Sequence, residues 1–142
     1  MSIIDHMQRI YNQLNRDTIK DGLLAELYDN DIVLIDPLHR IEGLDHLQRY
    51  FEGMYSNVTE ISFEYLTQWE QGNEAMLRWE MTFRHPKLKG GAAIVVPGVT
   101  YLTFNEKEKI TRHQDYFDSN RMIFDHVPVL GSLLGWLKSR LD

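Results

Sequence analysis

Midway along the chain the spacing of apolar residues changes from three-and-four to two. No other feature constrains the fold as much. Leu77, Trp79, Met81 and Phe83 alternate with Arg78, Glu80 and Thr82. Successive side chains of a strand point to opposite faces, so this segment is a strand with one apolar and one polar face. Ile61, Phe63, Tyr65, Thr67 and Trp69 repeat the pattern just before a Gly72-Asn73 turn. Beyond the loop from His85-Pro86 to Gly90-Gly91, Ala92 to Phe104 reads as a long strand interrupted by Pro97-Gly98. Proline cannot donate to a ladder and glycine packs nothing, so a bulge or sharp bend is expected at that pair. Lys109 to Asp118 is the last strand.

Before Asn57 the spacing is helical. Ile3, Met7, Ile10, Tyr11 and Leu14 share one helix face. A second helix is expected over Asp17 to Leu27, with Asp17 capping it and Ile19, Leu23, Leu24 and Leu27 turned inward. Ile32-Val33-Leu34-Ile35 is a short buried strand ended by Asp36-Pro37. Gly43 precedes a third helix, about Leu44 to Tyr55, whose apolar face carries Leu44, Leu47, Tyr50, Phe51 and Met54.

Helices first and long hairpin-linked strands later make an α+β layout, not an alternating one. The expected architecture is a strongly curved, mostly antiparallel sheet wrapped around three N-terminal helices, a cone with an interior cavity. Residues 1–118 form the cone. Residues 119–142 are a C-terminal helical tail of the same domain, closing the open end or packing on a partner subunit. A chain of 142 residues fits one domain of about 150 residues.

A formal net charge of −6, with no basic run, argues against nucleic acid, where affinity comes from neutralising phosphates. Zero cysteines exclude thiolate chemistry and disulfides and fit a reducing compartment. The opening residues lack the layout of a signal peptide, and no apolar run approaches about 20 residues. A cytoplasmic location without membrane contact is expected. The six histidines form neither H-x-H nor H-E-x-x-H, and no phosphate-binding glycine motif is present. Neither a metal nor a cofactor is expected.

Three patches carry a family resemblance: Asp31-Ile32-Val33-Leu34-Ile35-Asp36-Pro37 before Gly43, Gly98-Val99 on the interrupted strand, and Lys109-Ile110-Thr111-Arg112-His113-Gln114-Asp115-Tyr116-Phe117-Asp118. In this order they resemble the nuclear transport factor 2-like superfamily, and most closely its SnoaL-like branch with polyketide cyclases, limonene epoxide hydrolase and ketosteroid isomerase. The resemblance implies an acid/base role for Asp115, matching the epoxide hydrolases. For Asp36 it implies the place of the isomerase base. The bottom-up alternative for Asp36 is a turn in which it accepts local N–H groups. Alternation puts Thr111, His113, Asp115 and Phe117 on one face, so His113 can pair with Asp115 for proton transfer, and Asp115 with Asp36 or His113 are the candidate catalytic residues. Asp118 reads as a turn or cap residue.

Two departures limit what carries over. The isomerase keeps a neutral carboxylic acid on the interrupted strand as an oxyanion donor. Here Val99 or Thr100 stands there, so steroid isomerisation of that type is not expected. Arg78 and Glu80 have the spacing of an epoxide hydrolase pair, but they sit on the polar face and read as outward.

Phe63, Tyr65, Trp69, Trp79, Met81 and Phe83 read as core. Phe63, Trp79, Met81 and Phe117 are candidate pocket walls, with Tyr50 and Tyr55 added from the third helix. The expectation is a SnoaL-like protein that binds a mostly apolar, oxygen-bearing small molecule. It is either an isomerase, cyclase or epoxide hydrolase working by acid/base chemistry without a cofactor, or a non-catalytic binding or interaction module. Relatives of this kind pair through the outer sheet face, so a homodimer is expected.

Overall fold

The computed structural model describes residues 2–122. Helix α1 (Ile3–Gln13) begins where the Ser2 hydroxyl accepts the Asp5 N–H at 3.1 Å, satisfying one orphan donor of the first turn. Its buried face is Ile3, Ile4, Met7 and Ile10.

The second helix is shorter than the sequence predicts. Only α2 (Leu23–Leu27) is helical. Over Asn15–Gly22 side chains compete for the backbone groups a helix needs. Asn15 Oδ1 accepts the Asp17 and Thr18 N–H groups at 2.8 and 2.9 Å, and the Thr18 hydroxyl donates to the Gln13 carbonyl at 2.6 Å. Asn15, not Asp17, is therefore the local cap, and Gly22 at φ 83° separates this turn from α2. Lys109 Nζ donates to the Ala25 and Glu26 carbonyls at 2.9 and 2.8 Å, closing the end of α2 with a cation.

Strand β1 (Tyr28–Ile35) starts four residues earlier than the apolar run alone indicates. Asp29, Asn30 and Asp31 lie within it. Strand β2 (Arg40–Glu42) has no apolar pattern and was not expected. Helix α3 (Leu44–Asn57) buries Leu47, Phe51 and Tyr55. Arg16 closes its far end, with Nη2 donating to the Val58 carbonyl at 3.0 Å.

Strands β3 (Glu60–Gln71), β4 (Glu74–Arg84), β5 (Ile94–Phe104) and β6 (Ile110–Phe117) follow, then α4 (Ser119–Met122). The six strands make one curved, mostly antiparallel sheet in the order β2-β1-β6-β5-β4-β3. The exception to antiparallel pairing is β1 with β6, which run parallel. The core lies between the concave face and the helices, with Leu24, Leu27, Ile32, Leu47, Val96, Leu102 and Ile110 fully buried.

Two details of strand register correct the sequence reading. No register shift occurs at Pro97-Gly98: the β4–β5 pairing runs unbroken from Glu74↔Thr103 to Phe83↔Ile94. Gly98 serves a different need, because the Trp79 indole lies directly against it. A bulge sits in β3, where Tyr65 pairs with Trp79 and Thr67 with Arg78, leaving Leu66 extra. One added residue reverses the alternation beyond it. Trp69 accordingly lies opposite Met76 on the outer face, 53% exposed, not in the core.

The Asp118 carboxylate accepts the Asn120 N–H at 3.0 Å, in the turn after β6. The expected tail helix lies outside the described residues beyond Met122. No helix among the described residues is long and apolar enough to cross a membrane.

Candidate active site

Between the concave sheet face and helices α1 and α3 lies a cavity of about 80 Å³. Its wall is mostly hydrocarbon and aromatic ring. Phe63, Trp79, Met81, Tyr50, Tyr55 and Phe117 all line it, as do Asp36, His113 and Asp115. Met7, Tyr11, Tyr65 and Thr100 complete its more informative surface.

Asp115 is held by its neighbours on the sheet. Thr100 lies opposite it across β5 and β6. The Thr100 hydroxyl is 2.6 Å from Asp115 Oδ1, and Trp79 Nε1 donates to the same hydroxyl at 2.8 Å. An indole nitrogen only donates. It therefore occupies Thr100 as an acceptor, and the single hydroxyl proton points to Asp115. His113 Nε2 is 2.8 Å from the same Oδ1. Both contacts fall on one oxygen, and Asp115 Oδ2 has no hydrogen-bond partner among the described residues.

His113 is 2% exposed, and its other nitrogen, Nδ1, is 2.8 Å from the Tyr28 hydroxyl. Tyr28 in turn meets the Tyr11 hydroxyl at 2.6 Å. An ionised carboxylate only accepts, so with Asp115 ionised Nε2 carries a proton. In the neutral ring Nδ1 then accepts from Tyr28, and Tyr28 accepts from Tyr11. The tautomer is thus assigned by the network. Burial, reinforced by the neighbouring Tyr28, raises the Tyr11 pKa well above that of a free phenol. Burial also raises Tyr28, against the opposing hydrogen bond from Tyr11.

Asp36 faces the same cavity but is occupied locally. Its Oδ1 accepts the Leu38 and His39 N–H groups at 2.8 and 2.7 Å, and the His39 ring lies 3.2 Å away. The turn reading of Asp36 therefore describes its bonds, while the pocket reading describes its position. Tyr50 reaches the His39 ring at 3.4 Å, and burial, with Asp36 and Asp115 nearby, pushes its pKa up to about 12. Burial also takes Tyr55 to about 12.

Of the two positions weighed for an oxyanion acid, Thr100 points inward and is 1% exposed, while Val99 is opposite Arg78 and Tyr116 on the outer face. Arg78 is exposed and Glu80 half-buried on that outer face. Tyr28 carries no sequence signal, since it stands at the helix-to-strand junction outside the apolar run. Tyr11 and Tyr65 read only as packing residues. Among the described residues no three His, Cys, Asp or Glu side chains come together as metal ligands would.

This fold is that of a class, the cone-shaped proteins of the nuclear transport factor 2-like superfamily. Residues 7–113 match the SnoaL-like domain, and the chain belongs to that family. No curated protein matches the sequence. Among solved structures, a nuclear transport factor 2-like protein of unknown function from Burkholderia pseudomallei superposes with a TM-score of 0.74 at 17% identity, covering 89% of this chain and 99% of that one. A hypothetical protein with a ketosteroid isomerase-like fold from Catenulispora acidiphila, in complex with trimethylamine, gives 0.69 at 15% identity, covering 82% and 85%. A nuclear transport factor 2-like protein of unknown function from Exiguobacterium gives 0.65 at 15%, covering 82% and 98%. At these identities the likeness is one of fold.

Proposed function

We propose that this protein is an acid/base enzyme of the SnoaL-like kind, acting on a mostly apolar, oxygen-bearing small molecule with Asp115 as its proton-transfer group. One observation carries the reading: Asp115 is half-buried in the wall of an apolar cavity with one oxygen held by Thr100 and His113 and the other without a hydrogen-bond partner among the described residues. A base has to be positioned before its basicity matters. Thr100 and His113 fix the carboxylate, and Oδ2 meets the ligand. The chemistry is isomerisation, cyclisation or epoxide hydration, and proton transfer through a carboxylate needs no cofactor. Asp36 and His113 are positioning residues in this scheme, the first for the β1–β2 turn and the second for Asp115.

The test is a screen of small apolar epoxides and enones with the full chain. Wild type turns over at least one compound, and Asp115→Asn, folded by circular dichroism, does not. Full activity in Asp115→Asn removes the assignment. Saturable binding without any turnover favours the binding-module reading instead.

We also propose a homodimer through the outer sheet face, on which Trp69, Met76, Val95 and Tyr116 are each exposed. Sedimentation equilibrium of wild type and Tyr116→Glu distinguishes dimer from monomer. The cysteine-free composition supports the cytoplasm as the compartment.

A further inference from the structure

We infer that the cavity selects an apolar alcohol, its hydroxyl held between the Tyr65 hydroxyl and Oδ2 of Asp115. The inference rests on the acid/base reading, because it takes the same cavity and the same carboxylate as the place of the ligand.

Tyr65 Oη is the one buried side-chain polar atom without a hydrogen-bond partner among the described residues. Buried hydroxyls are nearly always paired, and leaving one unpaired costs stability. Packing does not ask for it. The Tyr65 ring stacks on Phe63 with centroids 6.0 Å apart and pairs with Trp79 across the strands, contacts that phenylalanine would make equally well. A hydroxyl kept there against its cost points to a partner that arrives with the ligand.

The two ends of the site differ in what they need. Asp115 Oδ1 already takes the Thr100 and His113 contacts, so the remaining valence of the carboxylate is an acceptor at Oδ2. Tyr65 keeps its proton, since burial first, then Tyr55 and the Asp115 charge, raise its pKa well above that of a free phenol. It therefore has a proton to donate, which calls for an acceptor. The complementary ligand group accepts from Tyr65 and donates to Asp115, and a hydroxyl is the smallest group that does both. A ketone or an ether only accepts and leaves Oδ2 unmatched. An ammonium can donate to both oxygens but leaves the Tyr65 proton without an acceptor. Ile61, Phe63, Met81 and Phe117 make the surrounding wall apolar, so the rest of the ligand is hydrocarbon.

Cyclohexanol, cyclohexanone and methylcyclohexane are probes of similar size that differ in this one group. Titrations of the full chain, followed by protein amide shifts in NMR, give their affinities. Cyclohexanol binds about tenfold tighter than methylcyclohexane, with cyclohexanone between them. In Tyr65→Phe the advantage of both oxygen-bearing probes falls about five- to tenfold and methylcyclohexane is unchanged. The ligand-free Tyr65→Phe protein melts higher than wild type, because an unpaired hydroxyl has gone. In Asp115→Asn the preference for cyclohexanol over cyclohexanone is lost, since the amide can donate.

Unaltered affinities in Tyr65→Phe overturn the inference. So does a lower ligand-free melting temperature, which would show that the hydroxyl is already paired. None of the probes is an epoxide or an enone, so turnover in the screen decides the acid/base reading separately. Equal binding of all three probes alongside Asp115-dependent turnover removes the alcohol inference alone.

Discussion

The indole of Trp79 lies flat against the bare α carbon of Gly98, its partner across β4 and β5, and this contact aims Trp79 Nε1 at Thr100. A β carbon at position 98 would overlap the six-membered ring of the indole. The ring is buried, 4% exposed. Gly98→Ala is expected to cost about 1–3 kcal/mol as an overpacked core. Urea unfolding measures it, and an unchanged midpoint would show that Trp79 is free to shift.

Thr100 joins the core to the site. Thr100→Val keeps the shape of the side chain but strands the Trp79 N–H and removes a donor to Asp115. The expected loss of stability is about 1–3 kcal/mol, the cost of an unsatisfied buried donor. Turnover also falls, because Asp115 loses one of its two tethers. Thr100→Ser keeps the hydroxyl and restores most of both. Rescue by serine separates hydrogen bonding from packing.

Asp36 has a separable pair of roles. Asp36→Ala loses the acceptor for the Leu38 and His39 N–H groups, at an expected cost of about 1–2 kcal/mol. Asp36→Asn still accepts those bonds but cannot take up a proton as a carboxylate does. As a positioning residue, Asp36 predicts that the asparagine variant keeps near wild-type stability and turnover. Loss of turnover with intact stability would make it a second proton-transfer group.

Alkali is expected to unfold the protein through its buried tyrosines. Burial takes Tyr50 and Tyr55 to about 12, above the unfolded value of about 10. Their stabilising effect is complete below pH about 10 and is lost as pH rises towards about 12. In that window the unfolded chain binds fewer protons than the native one, so the slope of stability with pH is negative. Absorbance near 295 nm, read with circular dichroism, reports it. Ionisation of these tyrosines before unfolding would contradict the assignment.

How far the site was legible depends on the range of each interaction. His113 and Asp115 are two residues apart on one strand, so alternation alone puts them on a common face. The pocket-facing positions of Phe63, Trp79 and Met81 follow from the same rule. The network beyond them is not local. Tyr28 and His113 are 85 residues apart, and they meet because β1 runs parallel to β6. No periodicity announces a parallel partner. Of the bulge or sharp bend expected at Pro97-Gly98, the bulge is absent for a related reason: the glycine answers to a tryptophan on the neighbouring strand, which composition at position 98 does not reveal.

The sequence alone determined which face of each long helix and strand is apolar, because that depends only on the local repeat of the backbone, 3.6 or two residues. It also determined the order of the main helices and long strands and the family to which that order belongs. Tertiary structure decided which strand neighbours which, where the single extra residue at Leu66 sends Trp69 outward, and which polar groups surround Asp115. These depend on register, and a shift of one residue exchanges the two faces of a strand. Only the packed sheet shows that Thr100 reaches Asp115 and that the Tyr65 hydroxyl has no partner among the described residues.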